Sequence, residues 1–268
     1  MKAYPPPKPN LRSAPLGVRL VAFAEQKPIL ASLLVIVAAS LFFWAFPGAD
    51  HGATGLFYTR ETWFPGRTDP ALGLVRDFGI DLKRGITVWL ALMVGLRIVC
   101  WQGPAVLAGR TLAFLLSSAF LGPALLVNIV LKDFWGRPRP HMVEDYGGQS
   151  PYIPVWEISD HCDNNCSFVS GEASSSMWLM AFLFIVPREM RSFLFVVLAI
   201  LIAFLSLNRV AFGGHFLSDV VIAWCLTLFV ILLMRALVLE RTEPGHDPYD
   251  AFLTKVGRYL TGLIERIR

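Results

Sequence analysis

Apolar residues in this chain come in long unbroken runs, unlike the alternation of a half-buried strand or the single apolar stripe of a soluble helix. The run "PILASLLVIVAASLFFWAF" starts at residue 28, and "FLSDVVIAWCLTLFVILLMRALVL" starts at residue 216. A membrane-crossing helix needs roughly 17 to 25 such residues. Six segments, at about 28–47, 86–101, 111–131, 170–186, 193–208 and 216–239, are predicted to cross. The second is short and carries Arg97 near its end; the fourth reaches spanning length only if it begins near the Ser170-Gly171 pair. The expected fold is an all-α polytopic membrane protein, a six-transmembrane-helix bundle with no internal repeat.

This pattern predicts an N-terminal segment over residues 1–27, a membrane domain over 28–239 and a tail over 240–268. Two long segments outside the apolar runs, 48–84 and 132–169, are read as loops. Loops of that length are usually functional. Composition agrees with the membrane reading: 55% of the 268 residues are hydrophobic and 16% charged. The net charge of +4 gives no sign of a nucleic-acid partner. Lys and Arg favour the cytoplasmic side of a membrane. With the N-terminus inside, fifteen of the 24 basic residues fall on the inner side, so both termini are expected in the cytoplasm. The Pro-rich start, "YPPPKPN", is unlike the compact basic region of a cleavable signal peptide.

Cys162 and Cys166, in "CDNNC", fall in the second outer segment, where an oxidising compartment would permit a disulfide closing a tight loop. His161, Asp160 and Asp163 lie nearby, but the spacing matches no standard zinc pattern, and the disulfide is the favoured reading. Cys100 and Cys225 fall in apolar runs and read as inert packing residues. In the tail, Phe252, Val256, Leu260, Leu263 and Ile267 recur at helical spacing among basic residues. This pattern fits an amphipathic helix lying on the inner membrane surface or docking on the protein itself.

Candidate chemistry is concentrated in three stretches: "KDFWGRPRP" after the third run, "SFVSGEAS" opening the fourth, and "NRVAFGGHFLSD" between the fifth and sixth. Alternating spans put all three on one face. Singly, Lys132, Arg137 and Arg139 read as interface cations, Ser170 as a helix cap, and Arg209 with Asp219 as an ion pair. Together, ionisable groups clustered at a membrane boundary mark a functional site. Lys132, Arg139 and Arg209 supply three positive charges, and arginine grips two phosphate oxygens through its planar fork. Backbone N–H groups at Ser170 and Gly171 are expected to point out of a helix N-terminus, where an anion is favoured. The expected guest is a phosphoryl group. His215 and Asp219, four apart, would share one helix face, so that the carboxylate orients the imidazole. A neutral imidazole held in this way is a nucleophile toward phosphorus.

These stretches resemble the type 2 phosphatidic acid phosphatases (PAP2), an integral-membrane superfamily sharing its site with vanadium haloperoxidases. The family pattern of Lys, six residues, Arg-Pro is met by Lys132 through Arg139-Pro140. The gaps of its Ser-Arg, five residues, His, three residues, Asp are kept from Asn208-Arg209 through His215 to Asp219. The resemblance covers roughly residues 85 to 235. It implies that Lys132, Arg139, Arg209, Ser170 and the Gly171 amide bind phosphate, that His215 forms a phosphohistidine, that Asp219 orients it, and that no metal or other cofactor is needed.

The pattern's remaining motif, a Pro-Ser-Gly-His string, falls on Val169 to Glu172. The sequence departs from the pattern at Val169 in place of Pro, at the supporting Asn208 in place of Ser, and at Glu172 in place of the His that resembles a general acid. A protonated Glu172 can give its proton to the leaving oxygen; an ionised one would repel phosphate. His141 or His161 is the alternative donor, with Glu172 then acting as a capping acid. The "EDYGGQSPYIPVWEISDHCDNNCSFVSGEAS" region is similar to bacterial members acting on the lipid A anchor of lipopolysaccharide. A periplasm-facing lipid A phosphatase in a bacterial inner membrane is therefore the first expectation. Other readings are an undecaprenyl pyrophosphate or phosphatidylglycerol phosphate phosphatase, a lipid phosphotransferase, and, in a different class, an inactive anionic-lipid-binding protein or transporter.

Overall fold

The computed structural model describes residues 14–102, 107–241 and 247–267. The Pro-rich start, with Lys2, Lys8 and Arg12, and the terminal Arg268 lie outside these residues. Among the described residues the chain is helical and has no β-strand. Its elements are α1 (Leu16–Gln26), α2 (Pro28–Ala45), α3 (Gly48–Gly55), α4 (Pro65–Thr68), α5 (Pro70–Val99) and α6 (Gly109–Phe134). After a long irregular segment come α7 (Gly171–Met177, continued as a 3₁₀ helix over Trp178–Phe184), α8 (Arg188–Ala211), α9 (Leu217–Leu239) and α10 (Pro248–Ile267).

Among the described residues four helices, α2, α6, α8 and α9, are long and apolar enough to cross a membrane. α5 and α7 occupy the places of the second and fourth expected crossings. α5 corrects the sequence reading, because it starts at Pro70 instead of near residue 86 and absorbs much of the expected loop 48–84. Arg76, Asp77, Asp81, Lys83 and Arg84 interrupt its apolar run without interrupting the helix. Its first turn is set by Pro70, which loses no hydrogen bond at that position, and by Asp69, whose carboxylate accepts from the Ala71 N–H at 2.8 Å.

α6 has a π-helical middle from Phe120 to Leu131 that contains Pro123. Proline cannot donate to the helical ladder, and widened turns are one way a helix accommodates it. Within this stretch the Asn128 side chain donates to the Pro123 carbonyl at 2.6 Å. Asn128 also packs against Gly171, where a β-carbon would collide with its amide.

α9 sits at the centre and packs against α2, α6, α7 and α8. Phe114, Leu115, Leu179, Ile202 and Ile231 lie in one buried cluster; Val127, Phe168, Val169, Val210, Val220 and Ile222 lie in another, beside the chemistry-bearing stretches. Outside, Leu34, Val37 and Trp44 on α2 and Phe193, Val196 and Ile200 on α8 remain exposed, as lipid-facing positions do. α10 docks on its own chain while keeping an outward apolar face: Arg97 pairs with Asp250 at 2.8 Å, and Phe252, Leu260 and Leu263 stay exposed. Cys100, expected to pack, is exposed at the end of α5; Cys225 is half-buried.

The segment between α6 and α7 is tied down by local contacts. Cys162 and Cys166 form a disulfide. Gly136 adopts φ +64° and lies against the Ser159 backbone, which a β-carbon would strike. Ser159 in turn donates through its hydroxyl to the Gly136 carbonyl at 2.7 Å and through its N–H to Trp135 O at 3.0 Å. Gly136→Ala should therefore destabilise the folded chain by more than about 1 kcal/mol, since it adds left-handed backbone strain to the collision. Thermal unfolding of the detergent-solubilised protein should show a lower Tm. An unchanged Tm would mean that this turn carries no such constraint.

Candidate active site

The three chemistry-bearing stretches meet through backbone contacts. The Ser167 N–H donates to Arg137 O at 2.8 Å, the Ser170 N–H to Asp219 O at 3.1 Å, and the His141 N–H to Gly213 O at 3.1 Å. The C-terminal ends of α6 and α8 and the N-terminal ends of α7 and α9 thus bound one site.

His215 is 1% exposed and precedes α9, which begins at Leu217, so it does not share a helical face with Asp219 as expected. Its Nδ1 lies 2.8 Å from the Ser167 carbonyl, an acceptor that requires the nitrogen to carry the proton. Asp219 Oδ2 stands farther away, 4.0 Å from the same nitrogen. Asp219 acts on the imidazole through Ser167, whose hydroxyl donates to Asp219 Oδ2 at 2.5 Å, and through the turn itself, by accepting the Phe216 N–H at 2.8 Å. Nε2 is thereby left as the ring's free nitrogen. Burial, followed by the charges of Arg209, Lys132 and Arg139, pushes the His215 pKa well below its ordinary 6.5. The ring is neutral at neutral pH.

Behind Asp219 lies a group the sequence reading treated as an interface cation. Arg137 is fully buried. Its Nη1 donates to Asp219 Oδ1 at 2.6 Å and its Nη2 to Asp50 Oδ2 at 2.9 Å, while Nε donates to Ile153 O at 2.8 Å. Burial opposes the guanidinium charge, but Asp219 and Asp50 outweigh it and raise the pKa above the ordinary arginine value. Asp50, on α3, also accepts from the Ser218 N–H at 2.8 Å and the Ser218 hydroxyl at 2.6 Å.

The expected phosphate ligands occupy the near side. Arg209 is 5% exposed and forms an ion pair with Glu172, whose Oε2 lies 3.3 Å from Nε, yet neither Nε nor Nη1 makes a hydrogen bond among the described residues. Gly214 leaves room for it, because a β-carbon there would fall 2.8 Å from Arg209 Nη2. Lys132 Nζ donates to Asn165 Oδ1 at 2.9 Å, and Arg139 donates to Asn165 O through Nη2 at 2.7 Å. Asn165 lies inside the disulfide ring and presents both acceptors. Ser170 caps α7 by accepting the Ala173 N–H at 3.3 Å. Its own amide is taken by Asp219 O, so of the two N–H groups expected to face an anion only that of Gly171 makes no hydrogen bond among the described residues. Asn208 donates through its side-chain amide to Leu72 O at 3.1 Å. His141 is held by Gly213 O at 2.8 Å from Nδ1, and His161 is exposed.

A family model described as the PAP2 superfamily matches residues 110–243. A lipid A 4'-phosphatase of Francisella tularensis subsp. novicida is 35% identical over 80% of this chain and 97% of its own length. The chain belongs to the PAP2 superfamily. A lipid A 4'-phosphatase of Rhizobium leguminosarum is 37% identical over 72% of the chain and 83% of its own length. Among solved structures, a transmembrane PAP2-type phosphatidylglycerolphosphate phosphatase from Bacillus subtilis shares the fold, with a TM-score of 0.52, 13% identity, and coverage of 82% of this chain and all of that one.

The sequence reading missed Asp50, Ser167, Asn128 and Asn165 in this PAP2 chain. Only Asn128 carried a signal, as a polar residue inside an apolar run. The pairing of Arg137 gives a direct test. Arg137→Met would strand two carboxylates in the interior and should cost about 3–5 kcal/mol. Thermal melts and the folded fraction by size exclusion in detergent should both fall. Native-like values for both would mean that the carboxylates do not depend on this charge.

Proposed function

We propose that the protein is a metal-independent phosphatase that removes phosphate from a membrane lipid, with lipid A as the first-choice substrate, at the periplasmic face of a bacterial inner membrane. In this reading α5 and α7 also cross, giving six spans with both termini in the cytoplasm. The lipid A assignment rests on likeness to the lipid A 4'-phosphatases. The observation that carries the chemistry is the His215 imidazole, bound at Nδ1 by Ser167 O and surrounded by the charges of Arg209, Lys132 and Arg139.

Nε2 of His215 attacks phosphorus as the bond to the lipid oxygen breaks. Lys132, Arg139, Arg209 and the Gly171 amide hold the phosphoryl oxygens, with Ser170 fixing the helix end beside them. Asp219 is a positioning residue acting through Ser167. Glu172, beside Arg209 at the helix start, acts in its protonated form: it donates that proton to the leaving oxygen, and the lipid departs as an alcohol. Water then attacks the phosphorus of the phosphohistidine, giving up its proton to Glu172 as the P–Nε2 bond breaks, and inorganic phosphate leaves with the imidazole again neutral.

Purified protein should release phosphate from lipid A, and His215→Ala should abolish that release; a fully active His215→Ala would refute the nucleophile. Glu172→Gln should slow the natural substrate by about 10²–10⁴-fold, the usual contribution of a general acid. It should recover most of its rate on a substrate with a nitrophenolate leaving group, which needs no proton. Equal losses on both substrates would exclude the proton-donor role.

Protonation of His215 removes the attacking lone pair, so activity is lost as pH falls through its folded pKa. Because burial and the nearby cations hold that pKa well below 6.5, the acid limb of kcat/KM assigned to His215 should lie below 6.5. A pH–rate profile with that limb at 6.5 or above would contradict the neutral, cation-ringed imidazole.

A further inference from the structure

The family pattern accounts for three cations, Lys132, Arg139 and Arg209. Three more, Arg67 on α4 and Arg76 and Lys83 on α5, stand next to them and lie outside that pattern. Phe212 joins the two sets. The Arg67 Nε donates to the Phe212 carbonyl at 3.0 Å, and the guanidiniums of Arg76 and Arg209 lie 5.8 Å and 5.3 Å from the centre of its ring. Gly66 allows this approach, because a β-carbon there would collide with Phe212.

Arg76 and Lys83 also line a cavity of about 450 Å³ that reaches Glu172 and Asn128 at the site and runs between α5 and α6 over apolar walls including Leu82, Ile86 and Phe120. Neither side chain makes a hydrogen bond or an ion pair among the described residues. Lys83 is close enough to couple electrostatically to Glu172 and Arg209, and Arg209 couples to Arg76 and Arg67. The shared carboxylate in this field is Glu172, since Asp219 is held by Arg137. A phosphate monoester brings at most about two negative charges. One such group, held by Lys132, Arg139 and Arg209, still leaves Arg76 and Lys83 without an ion-pair partner among the described residues.

We infer that Arg67, Arg76 and Lys83 form a second anion subsite, which takes another phosphate or carboxylate on the headgroup of the same lipid whose phosphate is removed. The inference rests on the lipid phosphatase reading above. It makes the enzyme selective for headgroups with two anionic groups. The Phe212 ring, between Arg76 and Arg209, would divide the two subsites.

The test compares three substrates in proteoliposomes or mixed micelles: a lipid A bisphosphate, its monophosphate keeping only the reacting group, and that monophosphate carrying a carboxylate sugar. The protein is compared with the double variant Arg76→Gln/Lys83→Gln. The ratio of kcat/KM for a two-anion substrate over the monophosphate should fall about tenfold or more in the variant, mainly through KM, as expected for loss of a charge-assisted contact. Whichever two-anion substrate loses its advantage identifies the second group as phosphate or carboxylate. Arg76→Lys/Lys83→Arg, which keeps both charges, should restore much of the ratio. An equal drop on all three substrates, or no change on any, would overturn the second subsite. If the unaltered protein hydrolyses none of them, the phosphatase reading fails instead.

Discussion

A single guanidinium fixes the arrangement of this site. Arg137 is enclosed between Asp219 at the start of α9 and Asp50 on α3, and it also takes the Ile153 carbonyl and the Ser218 and Tyr152 hydroxyls. A buried ion group of this kind adds little net stability over a well-packed apolar core, but removing one member leaves an uncompensated charge. Its main effect is geometric. The planar fork of arginine fixes direction as well as distance, and here it joins three segments far apart in sequence. Phe216, whose ring centre lies 4.6 Å from the guanidinium carbon, closes one side.

From this buried group to the imidazole there is one further link. Asp219 uses one oxygen for Arg137 and the other for the Ser167 hydroxyl and the Phe216 N–H. Ser167 gives its N–H to Arg137 O and its carbonyl to His215. Ser167 is thus tied to both ends of the Arg137–Asp219 pair, and its carbonyl sets which ring nitrogen of His215 bears the proton. The carboxylate orients the ring without lying in direct hydrogen-bond contact with it. This differs from the simple picture of an Asp and a His four apart on one helix, because the chain turns between them before α9 begins.

Elements with a strong one-dimensional signal were legible in the sequence. The α2, α6, α8 and α9 runs are dominated by apolar residues, and their ends fall within a few residues of the expected boundaries. The start of α5 was hidden because apolarity stops at its charged residues while the helix continues to Pro70. Lys132, Arg139, Arg209, Glu172 and His215 are brought to one region, and each had been found through spacing within a single stretch. The residues that were missed act across stretches. Asp50 lies 87 positions from its Arg137 partner, and Asn165 lies 33 from Lys132. A single sequence without pair information carries no trace of such contacts. Arg137 was visible, yet "GRPRP" offers two arginines, and nothing local says that one is buried between carboxylates while the other meets the Asn165 carbonyl.

The difference between those two arginines shows how the site keeps its charges apart. Arg137 is outnumbered by two carboxylates in the interior, so this far-side group presents no uncompensated positive charge. Arg139 instead meets the Asn165 carbonyl, a neutral acceptor, and Arg209 meets Glu172 through one edge only, with Nη1 still unpaired. Burial lowers the pKa of Arg139, whereas its neighbour two residues away is held charged by its carboxylates. An incoming phosphate would supply the missing counter-charge on the near side and find none lacking on the far side. The same chain thereby supplies a rigid buried base with no uncompensated positive charge and, on the near side, cations that carboxylates do not fully pair.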